Sequence, residues 1–491
     1  MCFCKNSVII CLYFCKNTYL CTDNQIFKCM YLERLIDRYL TEWANDAFHK
    51  PLLLRGARQV GKSTAIRHLG ESFKSFVEIN LERDTRLSEV FRMDLDVKRI
   101  VAELSAMVGK PIVAGETLLF IDEIQACPEA IMSLRFFKED LPELHVVAAG
   151  SLLEFAIQEL PTFGVGRIHS MFMYPLTFDE FLMANGEQLL LDARNAASAE
   201  SPLSTPLYDK MVSLFRTFML VGGMPEAVSK WVDTHDYLKC QEVLDDIVLT
   251  YEDDFPKYKN KVNPMLLRAT LRSAAEQSAS KFVYSAVGGG YKSYEVKAAL
   301  DLLTLAGILI PVTHSSANGI PLGSEADRNY RKMLLLDTGM LLRLLNMAEG
   351  DITPLVSQIL TAAPSELVNK GPLAEMIAGL EMLHNQTPNL RHELYYWQRQ
   401  AKSSLAEIDY VACFRQKVLP IEVKAGTQGG MKSLWLFMRE KKLSLAVRSS
   451  LENFGAFDYA DPQAEGTVRR VIVCPLFAMS QITRLLEAHP D

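Results

Sequence analysis

The chain has 491 residues, of which 49 % are hydrophobic and 23 % charged, a balance that builds buried cores and excludes a disordered polypeptide. Domains of roughly 100 to 200 residues make about three units the expectation at this length. A formal net charge of −7 and a pI near 5.8 exclude a global attraction to nucleic acid and leave room for a local basic face.

Residues 1–29 hold six of the ten cysteines, namely Cys2, Cys4, Cys11, Cys15, Cys21 and Cys29. The apolar run from Val8 to Phe14 is far shorter than the roughly 20 residues of a membrane span, and it lacks the form of a signal peptide. No histidine lies among these cysteines and their spacing fits no zinc finger. The segment is expected to be an appendage, with translation beginning at Met30, where an amphipathic helix starts (Leu32, Leu35, Ile36, Tyr39, Leu40). Cys127, Cys240, Cys413 and Cys474 are scattered in the manner of reduced thiols, so a cytoplasmic protein without a membrane partner is expected.

A strand-like run, Leu52 to Leu54, leads into Gly56-Ala57-Arg58-Gln59-Val60-Gly61-Lys62-Ser63-Thr64 and then into a helical stretch ending near Gly70. Strand, glycine-bounded loop and helix together form the phosphate-binding pattern. Glycines at positions 56 and 61 let backbone N–H groups approach phosphate closely, and the helix aims its positive end at the anion. ATP and magnesium are the expected ligands, with Lys62 on the β and γ phosphates and Ser63 on the metal. Leu118-Leu119-Phe120-Ile121-Asp122-Glu123 is an apolar strand ending in two carboxylates. Asp122 is expected to serve magnesium and Glu123 to polarise the attacking water. The run His145 to Ala149 ends at Gly150-Ser151, where Ser151 is either placed to sense the γ phosphate or part of a routine loop, as a serine after glycine commonly is. With Phe76 to Leu81 and Ile168 to Tyr174, five short strands alternate with helices, which predicts a parallel α/β sheet with nucleotide at the strands' carboxyl ends.

The Gly-Ala-Arg-Gln-Val-Gly-Lys-Ser loop, Phe-Ile-Asp-Glu-Ile-Gln, Ala-Gly-Ser, Val-Gly-Arg167 and the segment Tyr174 to Phe181 resemble a prokaryotic family of AAA-type ATP-binding proteins. Members carry a carboxy-terminal domain of unknown function with a restriction-endonuclease-like core. The resemblance spans about Met30 to the end. It implies the additional-strand variety of P-loop fold, and for Arg167 either a contact with the γ phosphate, in cis or from a neighbouring subunit, or the place of an ordinary surface arginine. The ATPase core is expected over 30–190.

The stretch Asp192 to Pro206, rich in Ala, Ser and Pro, predicts a loose connection. Helices resume at Tyr208, and Gly222-Gly223-Met224-Pro225-Glu226 resembles the family's helical lid, although a plain interhelical turn explains it as well. An apolar helical face (Val296, Ala299, Leu300, Leu303) followed by a strand, Ile308 to Val312, has the order of a winged helix. Lid and winged-helix-like region are expected over 207–315; a winged helix binds DNA or mediates protein contacts, and Lys292 and Lys297 are too few to decide between the two. The carboxy-terminal restriction-endonuclease-like domain is expected over 330–491.

Within that last region Glu375 lies on a helix beginning near Pro372, Asp409 on one strand and Glu422-Val423-Lys424 on the next. Asp409 and Glu422 on adjacent strands suit one or two magnesium ions, Lys424 suits the attacking water, and Glu375 would complete the shell. Alternation puts Glu422 and Lys424 on one face. Solvated strand faces produce the same pattern, and Glu407 is an acid without an assigned role. Two functions follow: ATP turnover driving action on DNA, or a nucleotide switch whose other regions bind a protein partner or DNA without cutting.

Overall fold

The computed structural model describes residues 31–151, 153–159, 166–258, 261–346, 371–401, 404–424, 430–464 and 466–488. By its contacts the chain divides into Met1–Tyr31 and Leu32–Asp491, and every helix and strand named belongs to the second unit. The six cysteines before Met30 and the expected start at Met30 lie outside the described residues.

Helix α1 (Ile36–Ala44) precedes β1 (Leu52–Arg55), and α2 (Lys62–Gly70) follows the loop. Then come β2 (Ser75–Asn80), α3 (Arg86–Met93), α4 (Val97–Val108), β3 (Thr117–Asp122), α5 (Pro128–Asp140), β4 (His145–Ala149), α6 (Leu153–Glu159) and β5 (His169–Phe172). These strands form one parallel sheet, as the sequence predicts, in the order β2-β3-β4-β1-β5. The apolar runs are continuous rather than alternating because both sheet faces are covered. Leu52, Leu54, Leu118, Phe120, Val147 and Ala149 pack into one core, while Leu53, Leu119, Ile121, Val146 and Ala148 pack into the other.

Helices α7 (Phe178–Ala184), α8 (Gln188–Ala196), α9 (Thr205–Val221), α10 (Pro225–Thr234), α11 (Tyr237–Asp254), α12 (Pro264–Glu276) and α13 (Ser293–Leu305) follow. The stretch expected to be a loose connection is only partly so. Its first residues complete α8, because the fully buried Arg194 forms a two-pronged pair with Asp179 and also donates to Phe477 O. Leu203 exchanges backbone hydrogen bonds with the Asn453 side chain, so this segment is a seam and not a tether.

After α13 come β6 (Leu309–Ser315), β7 (Ala326–Leu335), α14 (Thr338–Asn346), α15 (Gly371–His384), β8 (Leu394–Ala401), β9 (Ser404–Phe414), β10 (Lys417–Val423), α16 (Lys432–Glu440), β11 (Leu445–Ser450), β12 (Gly455–Ala460), β13 (Val468–Pro475) and α17 (Ile482–Glu487). Eight strands form a mixed sheet in the order β12-β13-β11-β10-β9-β8-β6-β7. A domain break between 315 and 330 does not match this pairing. Those residues are the loop of the β6–β7 hairpin and half of β7, and β6 pairs in parallel with β8. Strand hydrogen bonding therefore runs from the middle region into the carboxy-terminal one. Among the described residues, no helix is long and apolar enough to cross a membrane.

Candidate functional site

The loop after β1 is held from both sides. Gly56 has φ +145°, and a Cβ there would lie 2.1 Å from Met173 O, so only glycine lets the chain leave β1 beside the end of β5. Gly61, at φ +100°, starts α2. Lys62 Nζ donates to Gly56 O at 2.9 Å and Ala57 O at 2.6 Å, folding its ammonium over the loop. Burial pulls the Lys62 pKa down to about 8, with Glu123 and Asp122 opposing and Arg58 adding to the drop.

Ser63 Oγ donates to Asp122 Oδ2 at 3.2 Å, joining the first turn of α2 to the end of β3. Burial raises the Asp122 carboxyl, and the charge of Glu123 adds to that. Glu123 itself stands at φ 49°, in the left-handed region that is uncommon outside glycine. Its Oε2 accepts from Gln125 Nε2 at 2.6 Å and from both N and Oγ of Ser151 at 3.3 Å. The strand-end acids, the serine after β4 and the loop lysine, far apart in sequence, thus meet at the carboxyl edge of the sheet. A hydroxyl beside a buried carboxylate at the end of a phosphate-binding loop is a donor set that fits magnesium carried by a nucleotide.

Two clamps on the loop come from residues that sequence reasoning missed. Arg34 is buried, and its guanidinium donates to Val60 O at 2.9 Å, Tyr174 O at 2.7 Å and Glu180 Oε1 at 3.0 Å. On the other side Asp254, at the end of α11, pairs with Arg58, and Tyr251 Oη donates to Arg58 O at 2.6 Å. Arg167 lies elsewhere. It precedes β5, where His169 is level with Leu52 at the start of β1, and it pairs with Glu139 at the far end of α5. This is the amino edge of a parallel sheet, opposite the loop, so Arg167 lies away from the place expected for the γ phosphate.

A second cluster sits where β7, α15, β9 and β10 meet. Glu375, Asp409, Glu422 and Lys424 lie together there, joined by Glu407 and by Lys332. The Lys332 ammonium, fully buried, donates to Glu375 Oε1 at 2.6 Å and pairs with Glu407. Carboxylate oxygens of Glu375, Glu407 and Asp409 lie within 4.8 Å of one another. Asp409 Oδ2 accepts from Val423 N at 2.7 Å, and Lys424 Nζ donates to Glu422 Oε1. Glu422 Oε2 is buried without a hydrogen-bond partner. Burial raises Glu375 well above the carboxylate range, raises Asp409, and pushes Glu422 up to about 7, where the charge of Asp409 contributes. For Lys332 burial works against the charge, but Glu375, Asp409 and Glu407 outweigh it and hold the ammonium above its ordinary value. Nothing local in the sequence marks Lys332, since β7 reaches the cluster only through the fold.

Residues 48–182 match the family model described as an AAA domain, while 212–351 and 370–472 match two models described as domains of unknown function, DUF8612 and DUF4143. No curated protein matches the chain. Among solved structures, a Signal Transduction ATPase with Numerous Domains, carrying a tetratricopeptide repeat sensor, from Pyrococcus horikoshii is 11 % identical and covers 71 % of this chain. The match spans 48 % of that protein with a TM-score of 0.26, too low to carry an argument. The family match, the strand order and the glycine-bounded loop together support an AAA-type P-loop nucleotide-binding ATPase module over residues 48–182.

Proposed function

We propose that the chain binds ATP with magnesium, hydrolyses it, and couples the turnover to action on DNA. The observation that carries the first part is the convergence of Lys62, Ser63, Asp122, Glu123 and Ser151 at one sheet edge. Backbone N–H groups from Gly56 to Thr64 would cradle the phosphates, and Lys62 would trade its bonds to Gly56 O and Ala57 O for the β and γ phosphates. Ser63 and Asp122 would hold the magnesium, which spreads the charge of the phosphates. Glu123 would take the proton of the attacking water, held in aim by Gln125 and Ser151. Arg167 would act only from a neighbouring subunit of an oligomer.

The DNA part rests on the carboxy-terminal region. Helix α15, the antiparallel run β8-β9-β10, helix α16 and the parallel strand β11 follow the order of a restriction-endonuclease-like core, with the acids at its centre. Asp409 and Glu422 would hold a divalent cation there and Lys424 would steady the attacking water, while Glu375, bonded to Lys332, would stand beside the ion. Helix α13 with the β6–β7 hairpin has the order of a winged helix, and Lys292 and Lys297 would face a backbone phosphate. The alternative, a nucleotide switch that binds a protein partner, is favoured by the seating of Asp254 on the loop, which lets α11 report what the loop holds.

The test is phosphate release from magnesium–ATP by the full chain, with and without single- and double-stranded DNA. Glu123→Gln should lower turnover by roughly a hundredfold or more while keeping ATP binding. Lys62→Ala should lose the binding itself. Stimulation by DNA, together with magnesium-dependent cutting that Asp409→Ala abolishes, is the expected result. Turnover indifferent to DNA and no cutting would favour the switch, and unchanged ATP affinity in Lys62→Ala would overturn both.

A further inference from the structure

The acid cluster of the carboxy-terminal region contains two places for a positive charge, and one of them is taken. The first lies among Glu375, Glu407 and Asp409, whose oxygens are within 4.8 Å of one another. Lys332 Nζ already sits there, bonded to Glu375 and paired with Glu407. Its side chain is 0 % exposed, and β7 is fixed by its ladder with β6, so the backbone that carries the ammonium holds it beside these acids. The second place lies between Asp409 and Glu422. Tyr410 opposes Ile421 in the β9–β10 ladder, so Asp409 and Glu422 are the next opposed pair. Here Glu422 Oε2 is buried and bonded to nothing.

We propose that this cluster takes one divalent cation and not two, at Asp409 and Glu422, because Lys332 is the built-in occupant of the place a second cation would need. The inference rests on the reading of the cluster as a metal-dependent centre. Charge supports it. Counted with all four carboxyls ionised, Glu375, Glu407, Asp409 and Glu422 against Lys332 and Lys424 leave two unmatched negative charges, the charge of one divalent ion, whose binding would displace the protons that burial favours on Glu375 and Glu422. A second ion would leave the same pocket with two unmatched positive charges, a buried imbalance as costly as the first. Every donor is a carboxylate oxygen, so the ion is hard, magnesium or manganese. Glu407 and Lys424 keep 29 % and 24 % of their side chains exposed, which gives the ion a way in.

Manganese titrated into the nucleotide-free full chain, with the free ion followed by electron paramagnetic resonance, tests this. Only sites lost in Asp409→Asn are counted, which sets aside any ion at the phosphate-binding loop. The expected count is one per chain. Glu422→Gln should weaken it by at least about tenfold, and Glu407→Gln, which touches Lys332's place, by less than about threefold. Lys332→Met should open the second place and raise the count to two. A count of two in the parent overturns the inference while the metal reading stands. So does a loss with Glu407→Gln as large as with Glu422→Gln, or a folded Lys332→Met that still takes one ion. A count of zero in the parent overturns the metal reading itself. If circular dichroism shows Lys332→Met unfolded, the parent count and the two glutamine variants decide the matter.

Discussion

The guanidinium of Arg34 spends its donors on three acceptors that lie 26, 140 and 146 residues away along the chain. Glu180, its charged partner, is also buried, and it accepts from Leu35 N and Thr177 N as well. Arg34→Met would leave that carboxylate buried without its cation, which costs about 3–5 kcal/mol and is measurable by chemical denaturation. Adding Glu180→Gln should return part of the loss, because the stranded charge goes with it. An equal loss in single and double variants would mean that the pair contributes nothing beyond packing. Such a residue is invisible in the sequence, whereas Gly56 to Ser63 is legible because the chemistry of a phosphate cradle is written in consecutive positions. Asp122 and Glu123 are legible for a similar reason, being the polar end of an otherwise apolar strand. Lys332 belongs with Arg34, since its partners arrive from α15 and β9.

At the scale of elements, helix and strand identities in the first module follow from apolar runs and glycine breaks, but the destination of an element does not. The position of Arg167 could have been reasoned out. A residue just before a strand of a parallel sheet must lie at the amino edge, and phosphate sites lie at the other. The parallel pairing of β6 with β8 could not, because the chain passes through β7, α14 and α15 before Leu394 comes level with Val312. The turn Gly222 to Pro225 shows how tightly the helical region docks. Gly223 O accepts from Leu176 N at 2.7 Å, Gly223 N donates to Asp337 Oδ2 at 2.6 Å, and a Cβ on Gly223 would stand 2.1 Å from Leu176 O. Gly223→Ala must push the turn off the Tyr174–Phe181 segment, since a carbonyl cannot yield as a side chain does. Destabilisation of about 1–3 kcal/mol is expected, read from the denaturation midpoint. A variant as stable as the parent would show that the turn hinges freely there.

Across the whole molecule, one helix spans the two sites. Helix α15 carries Glu375 into the acid cluster near its start and, further along, sets Glu381 against the ATPase module, where Glu381 Oε1 accepts from Phe178 N at 2.9 Å. His384 stacks on Tyr174 with ring centroids 4.7 Å apart. Tyr174 and Phe178 belong to the segment whose Glu180 holds Arg34, so packing is continuous from the phosphate-binding loop to the acid cluster. Glu381 makes this contact sensitive to pH. Burial raises its carboxyl from 4.5 to about 8, with the charge of Asp179 adding to the effect. Between those values the folded chain keeps on Glu381 a proton that the unfolded chain has lost, so the contribution of Glu381 to stability falls as pH rises from about 4.5 to about 8 and levels off above. Glu381→Gln keeps an oxygen for Phe178 N and has no proton to lose. The stability difference, variant minus parent, should therefore grow more positive from pH 5 to pH 8. Asp337, which burial holds at about 6, titrates in the same window but is common to both proteins and cancels in the difference. His384, driven down to about 3 by burial, stays neutral throughout. A difference that does not change between pH 5 and pH 8 would mean that Glu381 is ionised in the folded chain, and that the junction between helix and ATPase module holds a charge rather than a proton.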